Sequence, residues 1–274
     1  MGRAFFYYFF SYFGVTFAKI FLHGYWVFAA IGTCVFLYFI HRELRLHALS
    51  LKYLLFLIVS LIMGLLLSKI PSVVNNYSDT GLITLRGGFV FFGGLLGTFG
   101  VLLILITVSK MKMYPFLDIV CVYIPLAHSF GRIGCFLAGC CFGVVCNGPL
   151  CIEYPLWSHA YREQIREGLI NYTSHVSLPV FPVQIVESIC NLCIFTVLYI
   201  MYNKGGVKNG TIIKVYLITY SVVRFFLEFL RGDTPRGIYF GFSTSQYISS
   251  AIVAVIVISN IFRKPASFVK PCNS

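Results

Sequence analysis

The stretch Gly131-Arg132-Ile133-Gly134-Cys135-Phe136-Leu137-Ala138-Gly139-Cys140-Cys141-Phe142-Gly143 places one charged residue in a run otherwise apolar or small enough to sit in a lipid bilayer. A charge at that depth costs about 2.5–3.5 kcal/mol on insertion scales and more in simulations. A residue that expensive marks a binding site by default, and Arg132 is the first candidate. Four glycines and three cysteines surround it, which implies close helix contact and room for a ligand.

The rest of the chain agrees with a membrane setting. Of 274 residues, 58% are hydrophobic and 11% charged, against about 25% charged in soluble domains. Mean hydropathy is +0.85. The net charge of +12 does not argue for nucleic acid, because the basic residues fall in short loops between apolar runs. About 20 apolar residues are needed per spanning helix. Seven segments qualify, near 21–40, 50–70, 87–109, 117–139, 182–202, 211–230 and 243–262. The expected fold is therefore an all-α membrane protein, a bundle of about seven transmembrane helices. Residues 1–274 read as a single polytopic membrane domain. Residues 4–17 are aromatic but too short to span, and are expected to lie at the interface.

Lys and Arg set the orientation. Eleven, among them Arg42, Arg45, Lys110, Lys204, Lys208 and Arg263, fall on one side. Eight, among them Arg3, Lys69, Arg162 and Arg231, fall on the other, leaving Arg132 and Arg224 within the membrane. The bias predicts the N-terminus outside, the C-terminus cytoplasmic and an extracytoplasmic loop at about 142–181. Arg132, Tyr220, Arg224, Glu228, His23, Tyr25, Gln184, Glu187, Gly93, Gly94 and Gly97 then lie at one depth, on five different helices. A shared cavity below the outer headgroups is the expectation.

The chemistry of that cavity follows from residue type. Tyr220, Arg224 and Glu228 are spaced i, i+4, i+8 and share a helix face. His128 lies one turn before Arg132. Guanidinium groups bind phosphate oxygens bidentately, and the natural phosphate at this depth is a phospholipid headgroup. The bland alternative is that Arg224 pairs with Glu228 only to hold the bundle. Gly93 and Gly97 form a G-x-x-x-G that either brings helices close or leaves space for an acyl chain. Asp118 is placed to cap the fourth span. The cysteine spacing C-x4-C-C-x4-C-x4-C over 135–151 fits no common zinc or iron–sulfur pattern, so no metal and no cofactor are expected. Cys146 and Cys151 are a candidate disulfide on the outer side. Cys190 and Cys193 read as small apolar packing residues.

Six stretches together resemble the prolipoprotein diacylglyceryl transferase family. They are H-G-Y at His23–Tyr25, R-G-G-F-V-F-F-G-G-L-L-G at Arg86–Gly97, the Gly131–Gly143 run, P-V-Q-I-V-E-S at Pro182–Ser188, R-F-F-L-E-F-L-R-G-D at Arg224–Asp233, and F-S-T-S-Q-Y-I-S at Phe242–Ser249. The resemblance implies transfer of a diacylglyceryl group from phosphatidylglycerol to the thiol of a lipobox cysteine in a prolipoprotein signal peptide. Glycerol phosphate leaves and a thioether forms. It implies a multi-pass protein of the bacterial plasma (inner) membrane, with no nucleic-acid partner.

Carried over by position, Arg132 and Arg224 match the family's two essential arginines, Glu228 and Tyr220 flank the second, and Tyr25 matches the first-helix tyrosine. His128, Arg132, Tyr220, Arg224 and Glu228 are the expected catalytic set. Tyr25, Gly93, Gly94, Cys135 and Gln184 are the expected substrate-binding set. The chain departs from the family pattern at Cys135 (Asn in many members), at Ala138 (a second Asn) and at Cys140 (Glu). Phe92 and Phe181 stand where some members have His. His128, Glu187 and Glu228 are the candidates for a replacement base. An acceptor other than a lipobox cysteine, such as a glycan or small thiol, is the alternative. A non-enzymatic phospholipid-binding or transport protein is another.

Overall fold

The computed structural model describes residues 24–70, 73–74, 91–233 and 238–261. The expected interfacial segment 4–17, His23 and the Arg86–Val90 part of the glycine-rich motif lie outside these. Eight α-helices are present among the described residues. They are α1 (Gly24–Leu46), α2 (Lys52–Leu67), α3 (Phe91–Val108), α4 (Met113–Ala138), α5 (His159–Arg166), α6 (Val183–Lys204), α7 (Thr211–Leu227) and α8 (Thr244–Ile261). A helix lies in each of the seven segments read as spans; α5 belongs to the 142–181 loop. Four of them, α1, α4, α6 and α8, are long and apolar enough to cross a membrane. Their outward faces carry large apolar side chains such as Trp26, Val27, Ile200, Val255 and Ile261. So much apolar surface in water would be an aggregation liability, whereas lipid accepts it.

α4 is the central element and packs on α1, α6 and α7, while α2 pairs with α3 and α7 with α8. Glycine sets the α1–α4 crossing. A Cβ on Gly32 would lie 2.9 Å from the Ala127 carbonyl oxygen, and one on Gly134 would lie 3.1 Å from the Tyr25 backbone. With no side chain at either point the two helices touch backbone to backbone, and they run antiparallel.

α4 divides into two halves. Phe116–Tyr123 is buried throughout and joins Phe36, Ile40, Leu44, Tyr53, Leu57, Ile106, Ile194, Leu198 and Ile212 in the main apolar core. The other half, from His128 onward, carries the polar residues. The apolar end still holds two buried carboxylates, Asp118 and Glu43, the latter accepting from Tyr123 Oη, whereas the arginines lie at the other end.

Asp118 caps a helix, but not its own. Its carboxylate oxygens accept from Gly210 N (2.5 Å) and Ile213 N (2.9 Å) at the start of α7. The α4 N-cap is Lys112, with no side-chain cap bond. Asp118 lies more than a turn inside α4, too far along to reach its free N–H groups, whereas α7 begins directly opposite.

The 142–181 segment folds over the polar end. Ser158 caps α5 through Tyr161 N (3.2 Å), and Gln164 Oε1 accepts from Leu178 N (2.7 Å). Cys146 and Cys151 form the expected disulfide. Phe142, Tyr154, Ala160 and Val180 make a second, smaller core there. Backbone bonds tie this segment to the end of α7: Val144 N donates to Leu230 O (3.0 Å) and Gly232 N to Phe142 O (3.1 Å). A two-residue hairpin, Ile238–Tyr239 with Phe242–Ser243, then leads into α8. Phe240 and Gly241 at its tip both have positive φ, as a type I′ turn requires.

Candidate active site

The polar end of α4 meets the starts of α1, α6 and α8 and the end of α7. This convergence follows from alternating helix direction. Glu187 on α6 is 2% exposed, and its Oε1 lies 3.1 Å from Arg132 Nη2. Arg132 Nε donates to His128 Nε2 (3.1 Å), and that same nitrogen lies 3.8 Å from Glu187 Oε1. The His128 ring packs against Tyr220 of α7 with centroids 5.5 Å apart. One turn further on, Arg224 forms an ion pair with Glu228 and its Nη2 donates to Ser245 Oγ of α8 (3.3 Å). Arg224 Nη1 is buried and has no hydrogen-bond partner among the described residues.

The floor is held from α6. Gln184 is fully buried; its Nε2 donates to the Cys140 carbonyl (2.9 Å) and to Tyr154 Oη (3.4 Å). Its Oε1 has no partner among the described residues. Ser188 Oγ donates to Ser129 O (3.0 Å) and fastens α6 to α4. Arg231, just past α7, is bound by Asp233 through both Nε (2.8 Å) and Nη2 (2.5 Å).

An α-helix ends at Ala138 because Gly139 takes the left-handed conformation (φ +65°). Cys140 N returns to Cys135 O (3.1 Å) and Gly139 N to Phe136 O (3.2 Å), the paired bonds of a Schellman cap. A Cβ on Gly139 would also sit 2.9 Å from the Tyr154 ring. Tyr154 itself is buried, and burial raises its phenol well above the ordinary range.

A family model described as prolipoprotein diacylglyceryl transferase matches residues 13–262. The chain belongs to this family. Among curated relatives, phosphatidylglycerol–prolipoprotein diacylglyceryl transferase 2 of Clostridium perfringens is 32% identical over 251 residues, which is 89% of this chain and 91% of the relative. The transferase of Clostridium tetani is 35% identical over 218 residues, 76% of this chain and 80% of the relative. That of Treponema denticola is 27% identical over 179 residues, 60% and 53% of the two chains.

Of the residues expected at the site of this diacylglyceryl transferase family member, His128, Arg132, Tyr220, Arg224 and Glu228 do come together. Gln184 and Cys135 lie beside them, and Tyr25 lies against the same end of α4, in the field of Arg132 and of Cys135. Gly94 is placed elsewhere: a Cβ there would meet Ser68 at 3.3 Å, so it serves the α2–α3 contact. Gly97 does the same, with Leu67 2.8 Å from its Cβ position. Gly93 lies in the first turn of α3. Glu187 as partner of Arg132 was not legible from helical spacing, since the two are 55 positions apart. Ser245 carried no signal beyond its place in the last motif.

Proposed function

We propose that the protein transfers a diacylglyceryl group from phosphatidylglycerol to a cysteine thiol of a prolipoprotein signal peptide, at the extracytoplasmic face of a bacterial plasma membrane that it crosses about seven times. The observation that carries the reading is the buried Arg224 Nη1, unpartnered among the described residues, on the helix whose Tyr220 packs on the His128 ring that Arg132 bonds. A buried guanidinium N–H without an acceptor costs free energy, and a phosphate oxygen would satisfy it.

In this reading Arg132 and Arg224 clamp the donor phosphate. Their charge stabilises the leaving glycerol phosphate, where negative charge grows as the carbon–oxygen bond breaks. Glu228 and Ser245 hold Arg224 in place, and Glu187 and His128 hold Arg132. The His128 Nε2 lone pair is engaged by Arg132, so its role is to position the guanidinium. Tyr220 completes the wall between the two arginines. Tyr25, Cys135 and Gln184 line the side from which the acceptor approaches, and the free Gln184 Oε1 is available to accept from it. A thiol has a reference pKa near 8.5, so the acceptor must be brought to its thiolate before it attacks.

The test uses the purified chain in detergent with phosphatidylglycerol and a peptide carrying a lipobox cysteine. Glycerol phosphate release with a matching mass increase on the peptide is expected. Donor binding without peptide modification would move the reading to a non-peptide acceptor, and failure to bind the donor would sink it.

A further inference from the structure

Cys135, Cys140 and Cys141 fall within seven consecutive residues, yet their spacing matches no standard metal motif. The turn after α4 changes that. The Schellman cap at Gly139 reverses the chain, and Cys141 itself is left-handed (φ +57°). Two positive-φ residues in three positions fold the Cys140–Cys141 pair back over the last turn of α4. The three sulfurs end within 4.8 Å of one another. A non-glycine residue in this conformation is strained, and such strain is retained where it places a group.

We propose that Cys135, Cys140 and Cys141 form a three-thiolate site for a thiophilic d10 cation, zinc(II) above all, with a fourth coordination position left open to an incoming thiol.

The sulfur geometry suits this. Zinc binds thiolates at about 2.3 Å, which puts neighbouring sulfurs about 3.8 Å apart in a tetrahedron. Closing from 4.8 Å needs only small side-chain rotations. The group contains three ligands and no fourth His, Cys, Asp or Glu among the described residues. Three protein ligands with one open place is the catalytic rather than the structural pattern for zinc. Positive charge is close by, since the charges of Arg132 and Arg231 both reach Cys141. A disulfide uses the three thiols poorly. Adjacent Cα atoms are about 3.8 Å apart, below the usual 4.4–6.8 Å span of a disulfide, which disfavours the Cys140–Cys141 pair. Either remaining pairing leaves one thiol over.

The chemical consequence rests on the transferase reading. A thiol that coordinates zinc loses its proton outright. The acceptor thiol would release its proton to solvent on binding. Its zinc-held sulfur would attack the glyceryl carbon that carries the phosphate ester. The carbon–sulfur bond forms as the carbon–oxygen bond breaks, and the electron pair leaves on glycerol phosphate between Arg132 and Arg224. No separate base is then required.

The experiment starts with the full chain, purified in detergent, reduced and kept free of oxygen, with no donor lipid present. Zinc(II), cadmium(II) and copper(I) are titrated in turn. One equivalent should bind, with an ultraviolet sulfur-to-cadmium charge-transfer band. Cys135→Ser, Cys140→Ser and Cys141→Ser should each weaken binding by more than about tenfold, since losing even an outer-shell partner costs 10–100-fold. Cys190→Ser and Cys193→Ser should bind like the unaltered chain and serve as controls for cysteine substitution. A peptide with a lipobox cysteine should intensify the cadmium band by adding a fourth sulfur, and its serine counterpart should not. Binding by the triple Cys→Ser variant equal to that of the unaltered chain would overturn the site. So would a disulfide among the three cysteines in protein alkylated directly in membranes. A band indifferent to the cysteine peptide would overturn the open position. Glycerol phosphate release is scored separately. Metal binding without release defeats the transferase reading alone, and release unchanged after the ion is chelated defeats the ion's role in it.

Discussion

Arg132→Met keeps the side-chain volume and removes the guanidinium. Its first effect is on Glu187, whose carboxylate is 2% exposed and loses its partner at 3.1 Å. At an effective dielectric of 20 the lost attraction is about 5 kcal/mol, in line with the 3–5 kcal/mol typical when one member of a buried pair is removed. Detergent-solubilised protein, unfolded by a denaturing surfactant and followed by helicity, should show a loss of about that size. Glu187→Gln added to Arg132→Met removes the stranded charge and should restore most of the stability. Transfer activity should fall about 100- to 1000-fold in Arg132→Met, the range for deleting one preorganised donor to a developing anion, and should stay low in the double variant. Recovery of activity along with stability would refute the reasoning, because Arg132 would then be only the counter-charge of Glu187. Full activity in Arg132→Met would refute the phosphate clamp outright.

Arg132→Lys should remain poor in turnover assays, because an ammonium cannot replace the planar fork that reaches Glu187 and His128 at once. Arg224→Gln should raise KM for the donor more than it lowers kcat, read from steady-state release of glycerol phosphate. Asp118→Ala should destabilise the fold by about 0.5–2 kcal/mol through loss of the α7 cap, visible as a shifted unfolding midpoint, with kcat unchanged. Gly134→Val should part α1 from α4, whose backbones leave a Cβ only 3.1 Å, and should lower the yield of folded protein in membranes. A cysteine placed at Lys208 should resist a membrane-impermeant label in intact cells; strong labelling there would reverse the proposed orientation.

What could be read ahead of the structure was whatever depends on local pattern. Apolar run length located a helix in each of the seven segments, four of them long and apolar enough to cross a membrane, because a run of apolar residues is legible residue by residue. The i, i+4 spacing gave Arg224 with Glu228. Alternating helix direction placed Arg132, Glu187 and Arg224 at one level. Contacts between helices were a different matter. Nothing local in Arg132 names Glu187, and nothing in Asp118 tells its own helix from α7. Gly97 looked equally fit for a ligand or a neighbour, and Gly94 was read as lining the substrate site, but both lie against the end of α2. The cysteines show the limit most clearly. Counting residues between cysteines assumes a familiar turn, and a turn with left-handed residues at Gly139 and Cys141 is not one.

Arg132 and Arg224 each have their own carboxylate, Glu187 and Glu228. The two pairs are nevertheless unequal. Arg132 spends Nη2 on Glu187 and Nε on His128, so a phosphate must share it with partners already in place. Arg224 keeps Nη1 buried and unsatisfied while Nη2 serves Glu228 and Ser245. In the proposed reading a donor phosphodiester would therefore dock on Arg224 without breaking any bond the protein makes. Its binding would relieve a cost the protein already bears at Arg224, which is binding energy spent in the ground state, so that loss of Arg224 would show mainly in KM. Arg132 gains most when charge accumulates on the leaving oxygen, because only a stronger anion competes with Glu187. That gain belongs to the transition state and appears in kcat. On the proposed function, the unequal partnering of two similar arginines would thus separate holding the lipid from expelling the leaving group.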